Sequence, residues 1–167
     1  MNLPEPRAQS SVTIRPATTR DIEAIGDLWV ELMSFHAKLD ARFSVPVTGR
    51  ANYIRHVQNA LRDDNFRVLV AVEERNVLGY VLGYIGHNPP IFPNPTFGFI
   101  ADLCITNRSR RRGAGEMLAK AICQWFRGKG LRNVQLNVAH ENPISQAFWR
   151  KIGCTDYLDH MWLNIGE

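Results

Sequence analysis

Apolar residues recur at helical spacing in the first third of the chain. Ile22, Ile25, Leu28, Trp29, Leu32, Met33 and Leu39 return every three or four positions, and Thr18 with Asp21 three residues on supplies a cap, which predicts a helix after Pro16. Ahead of it, Val12 to Arg15 alternate as a short strand. Residues 40–49 (DARFSVPVTG) read as a loop, and Tyr53, Ile54, Val57, Ala60 and Leu61 give a second, shorter helical face. The pattern then becomes extended. Arg67 to Glu73 and Val77 to Ile85 are strand-like runs joined by Glu74, Arg75 and Asn76, a hairpin connection.

His87 to Thr96 (HNPPIFPNPT) holds four of the nine prolines and reads as a stiff loop, because each proline removes a backbone donor. Phe97 to Ile105 is another strand, followed by the basic, glycine-bearing turn Thr106 to Gly115. Met117, Leu118, Ala121, Ile122, Trp125 and Phe126 then mark a helix ended by Gly128 and Gly130. Val134 to Val138 predicts a strand, Pro143 to Ile152 a helix begun by Asn142 and closed by Gly153, and Tyr157 to Ile165 a final strand.

A length of 167 residues suits one compact domain, and 45% apolar with 22% charged residues is the composition of a globular chain. Residues 1–11 read as a flexible leader and 12–167 as the folded domain. No apolar run is long enough to span a bilayer, and Pro4, Glu5, Pro6 and Arg7 stand where a secretory signal needs an apolar core, so the expected location is the cytoplasm. Cys104, Cys123 and Cys154 have no metal-ligand spacing; reduced thiols and no metal are expected.

The charge is uneven. Of a net +4, residues 101–132 carry eight basic side chains against Asp102 and Glu116, a local balance of +6 that leaves the remainder negative. A nucleic-acid binder spreads basic residues over a face, whereas this focus fits a local polyanion such as a phosphorylated cofactor, and neither nucleic acid nor membrane is expected as a partner. Arg110-x-x-Gly113-x-Gly115 sits between a strand and a helix, where clustered N–H groups at the positive end of a helix dipole bind phosphate. Glycine removes the Cβ that blocks close approach, and Arg110, Arg111 and Arg112 offer charge-assisted bonds. A plain helix start with solvated arginines accounts for the same residues. A dinucleotide fingerprint would need a third glycine where Leu118 stands, and GxxxxGK[ST] is absent.

The run Arg110 to Gly115 resembles the [Q/R]xxGx[G/A] signature of the GNAT superfamily of acetyl-CoA-dependent N-acetyltransferases. The resemblance extends to Leu103, Cys104 and Ile105 before it, to Asn142, to the stretch Phe148 to Gly153, and to the opening IRPATTRDIEAI, so it covers Val12 to Ile165. It implies a single mixed α/β domain whose central, mostly antiparallel sheet is flanked by helices and splayed between its fourth and fifth strands. It further implies that the backbones of Leu103, Cys104 and Ile105 pair with a pantetheine arm and that the amides of Arg111, Arg112, Gly113, Ala114, Gly115 and Glu116 hold a pyrophosphate. Asn142 would bond the pantetheine, and Ser145, Phe148 and Trp149 would flank the thiol end.

The implied reaction is direct attack of a primary amine on acetyl-CoA, for which the enzyme positions and polarises an already activated thioester. Many relatives use a tyrosine where Trp149 stands, and an indole does not titrate usefully. Tyr157 is the remaining side-chain candidate for the acid. Some relatives carry a glutamate at the positions of Phe99 or Ala101. Asp102, the only carboxylate in that strand, and His87 are the base candidates here, with His36 a further one. Tyr80, Tyr84, Phe92, Phe97 and Phe99 are read as core or as an acceptor pocket. The acceptor is open, with a small-molecule amine favoured over a protein N-terminus or lysine, and homodimerisation is left open. The alternative is a non-catalytic acyl-CoA-binding regulatory module.

Overall fold

The computed structural model describes residues 11–166, so the expected leader, Ser11 apart, lies outside the described residues. Two compact units are present, one ending at Asn137 and one beginning at Val138. The first is a five-stranded sheet in the order β1 (Thr13–Pro16), β2 (Phe66–Glu73), β3 (Asn76–His87), β4 (Thr96–Ile105) and β5 (Val134–Leu136). β1 to β4 pair antiparallel with one another and β5 runs parallel to β4, giving the mixed α/β, mostly antiparallel architecture that the family resemblance implies.

Helices α1 (Ile22–Leu39) and α2 (Gly49–Ala60) cover one face of the sheet. Ile22, Ile25 and Leu28 of α1 and Tyr53, Val57 and Ala60 of α2 bury against Val68, Val70, Val72, Tyr80, Leu82 and Cys104. The entrance to α1 is fixed as its sequence suggests. A single 3-10 turn, Thr19–Asp21, precedes it, and the buried Asp21 carboxylate accepts from the Thr18 backbone N–H at 2.7 Å and the Thr18 hydroxyl at 2.9 Å. Both guanidinium nitrogens of Arg15 donate to the same carboxylate at 2.8 Å. These donors hold Asp21 well below the usual carboxylate range, at about 2.

The opposite face is covered by α3 (Ala114–Gly128), whose Leu118, Ala119, Ile122 and Phe126 are buried. Phe126 fits only because Gly83 and Gly98 lack side chains: a Cβ at Gly98 would stand 2.6 Å from the ring. The hairpin between β2 and β3 turns on Glu74 and Arg75 alone, with Glu74 at φ 57°.

β4 contains a bulge. Leu82 pairs with Asp102 while the next residue, Gly83, pairs with Ile100, so Ala101 is left over. The extra residue puts Asp102 and Cys104 on the α1/α2 face, together with Phe99; strict alternation would send them to opposite faces.

Two predicted strands differ. The strand expected at Val134 to Val138 stops at Leu136, and its ladder with β4 ends at Ile100↔Leu136, one residue before the bulge bends β4 away. The strand expected at Tyr157 to Ile165 is absent: residues 154–166 carry neither helix nor strand. Alternation reports that a segment fits a pleated surface but does not supply the neighbour whose backbone completes it. In this second unit, α4 spans Pro143–Ile152 as predicted. The Asn142 side-chain oxygen accepts from the Ser145 N–H at 3.1 Å, and Gly153 closes the helix at φ 107°.

Candidate active site

The end of β4 leads into the basic turn. Ile105 is the last strand residue, Thr106 N–H donates to the Leu78 carbonyl at 2.8 Å, and Asn107–Ser109 form one 3-10 turn. Glu31 on α1 fastens this turn. Its carboxylate accepts from the Thr106 hydroxyl at 3.1 Å and the Asn107 N–H at 2.8 Å. Arg110 donates through Nε to the Ile105 carbonyl at 3.0 Å and lies over the Phe35 ring, 5.8 Å from its centroid. Arg112 pairs with Glu73 at 2.6 Å. The guanidiniums of Arg110 and Arg112 therefore brace the turn against the rest of the unit.

Between them Arg111 takes φ 63°, and Gly113, the cap of α3, takes φ 84°. Two left-handed residues so close together curl the backbone over the start of α3. A cap without a side chain leaves the first-turn N–H groups for an outside acceptor. A Cβ built on Gly113 would meet nothing within 4 Å, so the space over this turn is open. Beside it, among the described residues, β4 is paired toward β5 only at Gly98, Phe99 and Ile100. Leu103, Cys104 and Ile105 pair with β3 on their other side. The Cys104 side chain faces α1, where its thiol donates to the Leu28 carbonyl at 3.4 Å and burial pushes its pKa up to about 12. That thiol therefore lies on the α1 side of the sheet.

Asp102 lies half-buried on the α1/α2 face. Tyr53 Oη donates to Asp102 Oδ2 at 2.8 Å and stands 3.0 Å from Tyr80 Oη. A phenol has one proton, so with Asp102 ionised the chain runs Tyr80 to Tyr53 to Asp102. Burial pushes the Asp102 carboxyl above its ordinary value, opposed by the Tyr53 bond and by His56. Tyr53 and Tyr80 are raised well above the usual phenol range by burial and by the Asp102 charge. Sequence reasoning missed Tyr53 and Glu31: a tyrosine on the apolar face of a helix carries no signal that its hydroxyl reaches a carboxylate 49 positions away.

Tyr53 also belongs to a run of rings. It stacks on Trp29 at 4.6 Å and 9°, and contacts continue through His56 and Phe66 to Tyr84 and Phe99. Of the five aromatic pocket candidates, Tyr80 is core, Tyr84 and Phe99 are half-buried neighbours 5.2 Å apart, Phe97 covers Gly86, and Phe92 is exposed in the proline loop.

His87 is exposed at the end of β3, five residues along the strand from the partner of Asp102, or about 17 Å. The structure does not bring these two base candidates together. His36 is half-buried between Phe35 and Phe43, and burial lowers its pKa. In the second unit Asn142 and Trp149 are buried, Phe148 meets Trp149 edge-on at 5.0 Å, and Tyr157 is 77% exposed. Among the described residues, no group of three or more His, Cys, Asp or Glu is arranged to hold a metal, and no helix is long and apolar enough to cross a membrane.

The fold is shared with solved structures. A variant of the BH1408 protein from Bacillus halodurans superposes with a TM-score of 0.83 at 24% identity, covering 92% of this chain and 99% of that one. The aminoglycoside N-acetyltransferase AAC(6')-Iy, solved with CoA, gives 0.76 at 18% identity over 95% and 97%. A protein of Clostridium acetobutylicum described as a predicted acetyltransferase, solved with acetyl-CoA, gives 0.76 at 15% identity over 93% and 97%. Curated protein sequences yield no match. A sequence profile of the acetyltransferase (GNAT) family matches residues 32–154, which include α2, the whole ladder from β2 to β5, the basic turn and α4. With the glycine-capped α3 and the half-paired β4 in the expected order, that match establishes that the chain belongs to the acetyltransferase (GNAT) family.

Proposed function

We propose that the protein is an N-acetyltransferase that moves the acetyl group of acetyl-CoA to a primary amine by direct attack. The observation that carries this reading is the continuity of two features in one segment. The β4 edge from Ala101 to Ile105 lacks a β5 partner, and it runs into the left-handed turn and side-chain-free cap at Gly113. An extended pantetheine amide chain suits the first and a pyrophosphate suits the second.

Acetyl-CoA is the acyl donor and supplies the activated thioester. The backbones of Leu103, Cys104 and Ile105 orient its arm, and the N–H groups from Arg111 to Glu116 receive its pyrophosphate. Asn142, Ser145, Phe148 and Trp149 are proposed donor-site residues on the strength of the family motif. Asp102 is proposed as the group that accepts the amine proton: burial raises its affinity for a proton, and the Tyr53 bond fixes its orientation.

A small-molecule amine is the favoured acceptor. The carboxylate of Asp102 and the half-buried rings of Tyr84 and Phe99 share one sheet face, a combination that suits an ammonium group. AAC(6')-Iy, of similar fold, acts by its name on aminoglycosides. The test is thiol release from acetyl-CoA with the purified protein across polyamines, aminoglycosides, amino acids and short peptides. Turnover on an amine supports the transferase, whereas donor binding with no turnover on any acceptor assigns the chain to a non-catalytic acyl-CoA-binding module.

A further inference from the structure

A carboxylate is fastened to the turn proposed to receive a pyrophosphate. Glu31 accepts from the Thr106 hydroxyl at 3.1 Å and from the Asn107 N–H at 2.8 Å, and its Oε1 lies 3.9 Å from the Arg110 guanidinium. As a charge alone it opposes any anion bound nearby, since like charges within a screening length of about 10 Å repel. The contacts give it a different role.

Leu28, Glu31 and Phe35 are three and four positions apart and form one stripe along α1. That stripe holds three successive points of the chain leading to the turn. The Leu28 carbonyl accepts from the Cys104 thiol at 3.4 Å, Glu31 holds Thr106 and Asn107, and the Phe35 ring lies under Arg110. Arg110 in turn donates to the Ile105 carbonyl, so the stretch from Thr106 to Arg110 is fixed at both ends, and the left-handed backbone begins at the next residue, Arg111. The 3-10 turn has its own closing bond, Ser109 N–H to the Thr106 carbonyl at 2.9 Å. Glu31 is therefore not needed to form that turn; it sets where the turn stands against α1. Trp29 of the same helix stacks on Tyr53, which holds Asp102, so one helix places both the donor turn and the proposed proton acceptor.

We infer that Glu31 is a positioning residue for the donor: it fixes the N–H groups from Arg111 to Glu116 in the arrangement a pyrophosphate meets. Its removal then weakens donor binding even though a repelling charge is lost. This rests on the acetyl-CoA reading above.

The experiment is calorimetric titration of acetyl-CoA into the unaltered chain, Glu31→Ala and Glu31→Gln, at low and high salt, with the KM of the amine acceptor measured beside it. The expected result is at least a tenfold loss of affinity in Glu31→Ala at both salt concentrations, with an unchanged amine KM. Glu31→Gln keeps a carbonyl acceptor without the charge, and it recovers affinity to within about threefold of the unaltered chain. Equal or tighter binding by Glu31→Ala overturns the inference alone, because the carboxylate then acts only as a repelling charge. Glu31→Gln as weak as Glu31→Ala also overturns it, since the effect then follows charge at Arg110 and not the bonds to the turn. An unaltered chain that binds no acetyl-CoA overturns the donor reading and this inference with it. Should Glu31→Ala lose its circular dichroism, Thr106→Val, which removes one of the two bonds and leaves α1 intact, is titrated in its place: about a threefold loss is expected, and no loss overturns the inference.

Discussion

The Tyr53 hydroxyl donates to the Asp102 carboxylate at 2.8 Å, linking α2 to β4. Tyr53 cannot turn away, because its ring is stacked on Trp29 and its oxygen is 3.0 Å from Tyr80. The β4 bulge makes this possible by placing Asp102 on the face where α2 packs.

Tyr53→Phe removes the one side-chain hydrogen bond that lowers the Asp102 pKa against burial. A bond to a charged group contributes about 1.5–3 kcal/mol, so the acidic limb of kcat/KM moves up by about one to two pH units, with little change on the alkaline plateau. Asp102→Asn removes that limb altogether. An unmoved limb in Tyr53→Phe assigns it to another group.

Asp21 supplies stability with a definite pH dependence. Its pKa is lowered from 3.8 to about 2 in the folded chain, so this contribution is present in full above about pH 4 and is lost as pH falls toward 2. Asp21→Asn lowers unfolding free energy in urea by about 1–3 kcal/mol at neutral pH, and the gap between the two proteins narrows at pH 2–3. A pH-independent gap would assign the loss to packing at this helix entrance.

Gly98→Ala brings a methyl group to 2.6 Å from the Phe126 ring, which is 1% exposed and enclosed. The ring must shift at the contact of α3 with β3 and β4, a cost of about 1–3 kcal/mol. Thermal denaturation measures it. The paired variant Gly98→Ala, Phe126→Leu recovers part of the loss if the clash is its cause.

Much of this was legible in the sequence. The spacing of Ile22, Ile25 and Leu28, the cap at Thr18 and Asp21, and the bounds of α4 by Asn142 and Gly153 follow from local rules, and the structure bears them out. The glycine turn was found for the same reason: φ above zero at Gly113 is a local demand. What escaped is non-local. The leftover Ala101 shifts two side chains to the other face without disturbing the strand pattern, and Glu31 reaches Thr106 and Asn107 from another element. The arginines show the same limit from the other side. Their charge suggested phosphate ligands, while Arg110 is spent on the Ile105 carbonyl and Arg112 on Glu73, partners that composition does not reveal. The strand expected at 157–165 failed because a strand is defined by its neighbour.

The central claim is that the backbone cradle at Gly113 binds the donor's pyrophosphate, and calorimetric titration of acetyl-CoA into the unaltered chain and Gly113→Asp tests it most directly. Aspartate is a favoured helix cap that tolerates a left-handed φ better than most residues, so the start of α3 survives while a carboxylate occupies the anion's place. The account predicts saturable one-to-one binding to the unaltered chain and at least a tenfold weaker affinity in Gly113→Asp with unchanged circular dichroism. Equal affinity in the two proteins, or no binding to the unaltered chain, contradicts it.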